Sequence, residues 1–302
     1  MLILPTDVIE FPGLKEKHIS LYLRREDMVH PALSGNKFRK LKYNLKEAKK
    51  RKCKTLLTFG GAYSNHIPAT AFAASSNGMR SIGIIRGEEL AQNWRNNPTL
   101  VSAAEMGMDF EFVTRKEYRL RENTDYQKRV LQRHKAAYLI PEGGTNELGI
   151  KGCEEILLPE DSRYDIICCP VGSGGTLAGL SRAAGDHQKI LGFPALKGDF
   201  LAREVGRYTE KDNWSLIDSY HFGGYGKITI ELITFINSFK EKTKIPLDPV
   251  YTGKMMYGIL DMIRTNAFKK GTKILAIHTG GLQGIEGMNG ILRKKNLPLL
   301  RI

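Results

Sequence analysis

The amino-acid sequence predicts an α/β protein with two open, twisted α/β domains and mainly parallel sheets. Short apolar runs that end in glycine alternate along the chain with segments of helical periodicity. These runs are apolar throughout, as is typical of strands that are buried on both faces of a parallel sheet. The pattern occurs in two stretches that meet near residues 137–145, and 302 residues are enough for two domains.

The first stretch begins with a helix over residues 37–51, which places Leu41, Leu45 and Ala48 on one face. Gly78 and Gly107 follow segments of helical composition and mark the ends of two further helices. In chain order, we predict a strand over 54–61, a helix over 66–78, a strand over 80–87, a helix over 97–107, a strand over 109–114, a basic helix over 124–136 and a strand over 137–144.

The second stretch repeats this alternation of strand and helix. In chain order, we predict a helix over 146–157, a strand, glycine loop and helix within 164–180, a strand over 189–195, helices over 228–240 and 253–266, and a strand over 272–281. The pattern is weakest over residues 196–224, for which we expect a long loop.

Composition indicates a soluble globular chain, with 41% hydrophobic and 26% charged residues. No apolar run approaches the length of about 18 residues that a membrane-spanning helix needs, and the N-terminus lacks the basic region of a signal peptide. The four cysteines form no C-x-x-C pair, so we expect neither a disulfide scaffold nor a metal site. Free thiols suit a reducing cytoplasm, where we place the protein.

The formal net charge of +14 raises the possibility of nucleic-acid binding. Basic residues are concentrated in residues 46–54 and 115–135, yet no helix-turn-helix, zinc-finger or RNP signature accompanies them. A solvated basic surface explains the same residues more simply. A nucleic-acid-binding module with a relic site therefore remains the alternative from a different functional class, and we do not expect a nucleic-acid partner.

The strongest local signal is the glycine loop that follows the apolar run DIICCP and opens a helix. It consists of Gly172, Ser173, Gly174, Gly175 and Thr176. Its glycines allow a tight turn that aims backbone N–H groups at an anion, and the helix dipole adds to the attraction. Because Leu177 replaces a glycine and no lysine follows, the loop matches neither dinucleotide-binding nor triphosphate-binding motifs. A single phosphate is the anion that remains, and the alternative is a tight glycine turn that binds no ligand.

Three further features lie near predicted strand ends or helix starts. Ser64 and Asn65 follow a strand and two glycines, where they could cap a helix or bind a carboxylate. Thr279 lies at the carboxyl edge of a sheet, where α/β proteins bind ligands, while a lone histidine such as His278 is more often structural. Lys37 follows a Gly-Asn turn and opens a helix. A lysine and a one-phosphate cradle together predict pyridoxal 5′-phosphate (PLP) as the cofactor.

With these features, the sequence resembles PLP enzymes of the tryptophan-synthase β type (fold type II). Within them it is similar to the family of 1-aminocyclopropane-1-carboxylate (ACC) deaminases and D-cysteine desulfhydrases. The matching segments, in the family's order, are SGNKFRKLKYNL, FGGAYSNH, PVGSGGTLAGL, DPVYTGKMMYG and HTGG. The resemblance implies a large PLP-binding domain formed by residues 1–40 and 141–302, and a small α/β domain formed by residues 41–140.

The resemblance also implies a role for each matching residue. Lys37 would form the Schiff base with PLP and move the α-proton, with Tyr225 as a second acid/base. Asn65 would bond the cofactor's 3-oxygen, and Thr279 would face its pyridine nitrogen. The remaining implied contacts are the phosphate with Gly172, Ser173, Gly174, Gly175 and Thr176, the pyridine ring with Tyr251, and the substrate with Ser64, Asn65, His66, Tyr225 and Thr252.

Three residues favour the desulfhydrase branch of this family. Thr252 and Thr279 stand where ACC deaminases carry glutamate and leucine, and His66 stands where they carry glutamine. We therefore expect a PLP-dependent lyase that converts D-cysteine, or a related small amino acid, to pyruvate, ammonia and sulfide. ACC deaminase is the alternative. A serine racemase or dehydratase would carry a Ser-x-Gly-Asn loop, which is not present. The family also implies a homodimer.

Overall fold

The computed structural model describes residues 2–30, 33 and 35–301, so Ser34 of the SGNKFRKLKYNL segment lies outside the described residues. The chain forms two compact units. The first unit combines Met1–Asn36 with Cys153–Ile302, and the second unit is Lys37–Gly152. The sequence placed the domain boundaries at 40/41 and 140/141, and these boundaries stay a prediction.

The described residues contain mixed helices and strands throughout. The strands are β1 (Thr6–Val8), β2 (Ser20–Arg24), β3 (Thr55–Gly61), β4 (Arg80–Arg86), β5 (Met108–Val113), β6 (Ala137–Ile140), β7 (Ile166–Val171), β8 (Lys189–Pro194), β9 (Trp214–Leu216) and β10 (Lys273–Ile277). The helices are α1 (Asn36–Lys50), α2 (His66–Ser75), α3 (Pro98–Glu105), α4 (Arg115–Tyr118), α5 (Thr124–Arg133), α6 (Glu147–Glu154), α7 (Gly175–Ala183), α8 (Phe200–Gly206), α9 (Ile230–Thr243), α10 (Thr252–Arg264) and α11 (Gly284–Lys294).

The first unit contains a six-stranded sheet in the order β1-β2-β10-β7-β8-β9. Only β1 runs antiparallel to its described neighbour, and the other pairs are parallel. The apolar strand β7 pairs with β10 on one side and β8 on the other, which explains why it is buried almost throughout. Because β7 and β10 are parallel, the segments that follow them leave the sheet at the same carboxyl edge.

The second unit contains a four-stranded parallel sheet in the order β5-β4-β3-β6. Neighbouring residues of a strand face opposite sides, so Ile84 and Ile85 of β4 pack into two different buried apolar clusters. Helix α3 begins where Asn97 accepts hydrogen bonds from the amides of Thr99 and Leu100. The mainly parallel α/β architecture that the sequence predicted is confirmed.

The long loop expected over residues 196–224 is wrong, because this segment contains α8 and β9. Helix α8 has seven residues and buries only Leu201 and Val205, so its apolar periodicity is too short to stand out in the sequence. Strand β9 has three residues and occupies the edge of its sheet beside β8. Short edge elements leave little apolar pattern, because few of their side chains enter the core.

None of the described helices is long and apolar enough to cross a membrane. Among the described residues, no cluster of three or more His, Cys, Asp or Glu side chains is arranged to bind a metal ion. The cysteines carry free thiols, and Cys153, Cys168 and Cys169 are buried in the first unit. Burial raises the pKa of the Cys168 thiol well above its usual value, which keeps it protonated and unreactive.

Candidate active site

The glycine loop lies between β7 and α7, at the carboxyl edge of the six-stranded sheet. Gly174 has a φ of +81°, and a Cβ there would approach Val205 Cγ2 to 2.9 Å. Both facts demand glycine, because side chains rarely adopt this backbone conformation. The loop therefore places backbone N–H groups at the positive end of the α7 dipole, which is the arrangement expected of an anion cradle.

The last residue of the loop is tied to the chain just before Lys37. Thr176 is only 4% exposed, and its Oγ1 accepts a 2.7 Å hydrogen bond from Asn36 Nδ2. Asn36 is the first residue of α1, and Lys37 is the next residue in the chain. The position at which α1 begins is thus fixed by the glycine loop.

The residue before Asn36 is also fixed within the first unit. Gly35 has a φ of +66°, and a Cβ there would lie 1.8 Å from the carbonyl oxygen of Thr279. This backbone-to-backbone approach requires glycine at position 35. His278 is fully buried beside Thr279, donates through Nε2 to the Pro246 carbonyl at 2.8 Å, and accepts from the Gly280 amide at 3.2 Å. Both ring nitrogens of His278 are therefore hydrogen-bonded to backbone groups.

Two tyrosines lie at the same loop. Tyr251 precedes α10, and a Cβ on Gly172 would be 3.2 Å from Tyr251 Cε1, so the ring packs directly over the loop. The ring of Tyr225 lies 6.1 Å from that of Tyr251, at an interplanar angle of 69°. Tyr225 as a residue is 37% exposed. The first unit therefore brings together the loop and both predicted tyrosines.

Asp248, which the sequence analysis missed, organises the start of α10. Its carboxylate accepts hydrogen bonds from the amides of Val250, Tyr251 and Thr252, and also from Thr252 Oγ1 at 2.7 Å. Thr252 is fully buried, and its hydroxyl bonds Asp248. The sequence D-P-V-Y-T could have indicated this role of Asp248, because an aspartate in a turn often accepts hydrogen bonds from amides two or more residues further along the chain.

In the second unit, Ser64 and Asn65 lie in the connection between β3 and α2, and His66 is the first residue of α2. Ser64 Oγ accepts a 3.3 Å hydrogen bond from the His66 amide, so this hydroxyl caps the helix. Asn65 occupies the N-cap position, yet its side chain makes no capping hydrogen bond. Helix capping therefore does not explain an asparagine at this position.

His66 is fully buried at the start of α2. Thr58 Oγ1 donates to the Ile140 carbonyl, so it must accept from His66 Nε2, which lies 2.9 Å away. The other ring nitrogen, Nδ1, is a buried acceptor without a hydrogen-bond partner among the described residues. Burial, and then the charges of Lys37 and Lys40, lower the pKa of His66 well below its usual value, so the ring is neutral.

Lys37 lies half-buried in the first turn of α1. A cation at a helix N-terminus faces the positive end of the dipole, so stabilisation of α1 does not explain this lysine. Lys49 and Lys50, in the last turn, have the favourable arrangement. Lys40 has a structural role: it is buried, and its Nζ donates to the Gly143 carbonyl and to Thr145 Oγ1 at 3.0 Å each.

The profile of the pyridoxal-phosphate dependent enzymes matches residues 1–280 of this sequence. The chain belongs to this family. Its mixed α/β fold is that of the fold type II, tryptophan synthase β-like PLP enzymes, and the enzyme is PLP-dependent.

Three similar proteins illustrate this membership. A Thermotoga maritima protein with the provisional name 1-aminocyclopropane-1-carboxylate deaminase is 32% identical, over 93% of this chain and 95% of its own. The "Bifunctional D-cysteine desulfhydrase/1-aminocyclopropane-1-carboxylate deaminase, mitochondrial" of Arabidopsis thaliana is 33% identical. The match covers 93% of this chain and 77% of the Arabidopsis protein. The crystal structure of an "ACC deaminase homologue" superposes with a TM-score of 0.80 at 28% identity. The superposition covers 97% of this chain and 94% of that chain.

The residues of this PLP enzyme fit the cofactor. Its single phosphate suits a loop in which backbone N–H groups, and not a lysine, face the anion. Gly172 leaves the space beside the Tyr251 ring that a Cβ would fill. The cofactor's aldehyde needs a primary amine, and Lys37 follows the residue that is bonded to the loop.

Proposed function

We propose that this PLP enzyme catalyses β-elimination from a small amino acid, most specifically from D-cysteine. D-Cysteine and water would give pyruvate, ammonia and hydrogen sulfide. The family and the names of the similar proteins support this class of reaction. Thr252, Thr279 and His66 favour the desulfhydrase branch. Hydrosulfide is also a good leaving group, because sulfur carries negative charge easily, as the cysteine thiol pKa of about 8.5 illustrates.

The observation that carries this proposal is the hydrogen bond between Asn36 and Thr176, because it fixes the start of the lysine-bearing helix to the anion cradle. The loop from Gly172 to Thr176 would hold the phosphate, and Lys37 would supply the amine for the aldehyde. When bound, PLP withdraws electrons from the substrate's α-carbon. The Lys37 amine would then remove the α-proton, and Tyr225 would give a proton to the departing sulfur.

The remaining residues would orient the two molecules. Tyr251 would stack on the pyridine ring, Thr279 would face its nitrogen, and Asn65 would bond the 3-oxygen. Ser64 and the amides at the start of α2 would hold the substrate carboxylate, next to the neutral ring of His66. Thr252 is buried against Asp248, so we propose that it influences substrate choice through the position of Tyr251.

ACC deamination is the second candidate, because two of the similar proteins are named for it. ACC and water would give 2-oxobutanoate and ammonia. This reaction opens a carbon ring and so lacks a good leaving group. It would require an acid or base near the ring carbons, for which Tyr225 is the candidate.

Product analysis separates the two reactions. PLP-loaded protein would be supplied with D-cysteine, L-cysteine or ACC, and sulfide, pyruvate and 2-oxobutanoate would be measured. We expect equal amounts of sulfide and pyruvate from D-cysteine, with a much lower rate for L-cysteine. If 2-oxobutanoate from ACC is formed at the higher kcat/KM, the desulfhydrase assignment is wrong. If no product forms from any of the three, both D-cysteine desulfhydration and ACC deamination are excluded.

We also propose a homodimer in the cytoplasm. The dimer rests on the family resemblance and the location on the cysteine content. Light scattering would test the dimer, which should have twice the mass of one chain.

A further inference from the structure

Helix α10 carries a lysine in an unusual position. Lys254 is 1% exposed, and it lies in the first turn of the helix that follows Tyr251. Its Nζ donates to the carbonyl oxygens of His221 and Gly224, at 2.8 Å each. A buried ammonium with two carbonyl acceptors is a strong, directional anchor, because hydrogen bonds from charged donors are stronger than neutral ones.

Lys254 anchors residues 221–227, and this segment has an uncommon backbone conformation. Positive φ angles occur at Phe222 (52°), Gly223 (87°), Gly224 (113°) and Gly226 (66°). For Phe222 this conformation is unfavourable, and such residues persist only where their surroundings fix them. The turn leads directly into Tyr225. Within the segment, the Gly224 amide donates to the His221 carbonyl and the Lys227 amide to the Gly224 carbonyl, and Lys254 adds a charged donor to each of these two acceptors.

Two further residues of α10 contact the same segment. Tyr257 packs its ring edge-on against Phe222, with the centroids 5.0 Å apart. Asp261 accepts a 2.9 Å hydrogen bond from the Tyr220 hydroxyl. With Lys254, these residues form a stripe at helical spacing along α10. Of these three residues, Lys254 bonds the carbonyl of Gly224, the residue directly before Tyr225.

We propose that Lys254 is the positioning residue that holds Tyr225 next to Tyr251 for proton transfer. This inference rests on the proposed function, in which Tyr225 is the acid. Since α10 begins directly after Tyr251, one helix fixes both tyrosines: Tyr251 by its start, and Tyr225 through the carbonyls bound to Lys254. Loss of the ammonium would leave each of these carbonyls with its backbone donor alone and so loosen the turn.

The electrostatics of Lys254 favour a functional reason for its burial. Burial lowers the pKa of its amine to about 8, although the nearby Asp248 carboxylate acts in the opposite direction. Placing this lysine in the core therefore reduces stability, when an apolar side chain would not. Groups that are perturbed in this way concentrate at functional sites.

The test compares Lys254→Met with Lys227→Met, which removes an exposed lysine from the same segment. Hydrogen exchange, read by mass spectrometry, would follow the amides of residues 221–227 with and without PLP. Lys254→Met should exchange these amides about 10- to 100-fold faster, because hydrogen bonds from a charged donor are lost. Lys227→Met should match wild type.

Kinetics then connects the anchor to Tyr225. For D-cysteine, Lys254→Met should lower kcat about tenfold or more while KM changes little, because the lost contact acts on a proton-transfer group. In a Tyr225→Phe background the same substitution should cause little further loss of kcat. Independent, multiplicative losses would overturn the proposal, and so would normal exchange with normal kcat in Lys254→Met.

Two controls keep the result decisive. If Lys254→Met does not fold, Gly224→Ala disturbs the same turn from the other side, because its φ of +113° disfavours a side chain. Unchanged exchange and kcat in that variant would overturn the proposal. The cofactor absorbance of wild type separates the two proposals. Its absence contradicts the proposed function, whereas a normal band with an unaffected Lys254→Met variant contradicts only the role of Lys254.

Discussion

At the residue scale, the site depends on backbone positions that accept only glycine. The sequence alone identified Gly174 because glycines cluster between an apolar run and a helix. It could not identify Asn36, whose partner Thr176 lies 140 residues away in the chain. Nor could it identify Lys254, whose acceptors are the carbonyls of a turn 30 or more residues away. Local patterns reveal a backbone requirement, whereas hydrogen bonds between distant segments depend on the fold.

Gly174→Ala should destabilise the protein. Its φ of +81° and the close approach of Val205 together imply a loss of about 1–2 kcal/mol or more in the free energy of unfolding. Gly206→Ala is the matched control, because it lies in α8 with no atom within 4 Å of its Cβ position, and it should be neutral or slightly stabilising. Urea denaturation of both variants measures the difference. Equal stabilities would contradict the requirement for glycine at position 174.

His66 should make the protein sensitive to acid. Burial and the charges of Lys37 and Lys40 lower its pKa in the folded state. Below about pH 6.5 the unfolded chain binds a proton there that the folded chain does not, so the free energy of unfolding falls as pH falls. His66→Gln should flatten this dependence by up to about 1.4 kcal/mol per pH unit. His187→Gln, at an exposed position, is the control for the loss of an imidazole. A slope unaltered by His66→Gln would show that another group causes it.

At the element scale, length and burial decided which elements the sequence could predict. Strand β7 is an apolar run of six residues that is paired on both sides, so composition alone predicted it. Strand β9 and helix α8 were missed because they are short and bury few side chains. Strand β6 ends at residue 140 and not at 144, since Pro141 lacks the N–H that would continue the ladder.

A single substitution at the start of α10 should not convert the substrate specificity to that of an ACC deaminase. Thr252→Glu installs the residue that ACC deaminases carry, but this position is fully buried and bonds the Asp248 carboxylate. A second carboxylate there should reduce the free energy of unfolding by about 3–5 kcal/mol without producing ACC deaminase activity. Thr252→Ser, which keeps the hydroxyl, should lose about 1 kcal/mol. Denaturation and an ACC assay on folded protein test this. A stable Thr252→Glu variant that deaminates ACC would contradict it.

At the scale of the whole molecule, several of the 46 basic residues pair with acidic side chains, while the net charge of +14 is the excess that remains. In the basic segment 115–135, Arg115 pairs with Glu89 at 2.6 Å, Arg121 with Glu142 at 2.5 Å, and Arg133 with Glu111. Such pairs support a solvated surface for this segment. The sequence predicted the family and both sheets, because the five matching segments follow apolar strands or open helices. The placement of their side chains still had to come from the structure.

The most direct test of the central claim is to identify the lysine that binds PLP. PLP-loaded wild type would be reduced with borohydride, digested and analysed by mass spectrometry, beside Lys37→Ala and the exposed-lysine control Lys50→Ala. We expect the cofactor on Lys37 in wild type and in Lys50→Ala, with loss of both the label and the visible absorbance band in Lys37→Ala. A label on another lysine, or an unchanged band in Lys37→Ala, would contradict the assignment of this site.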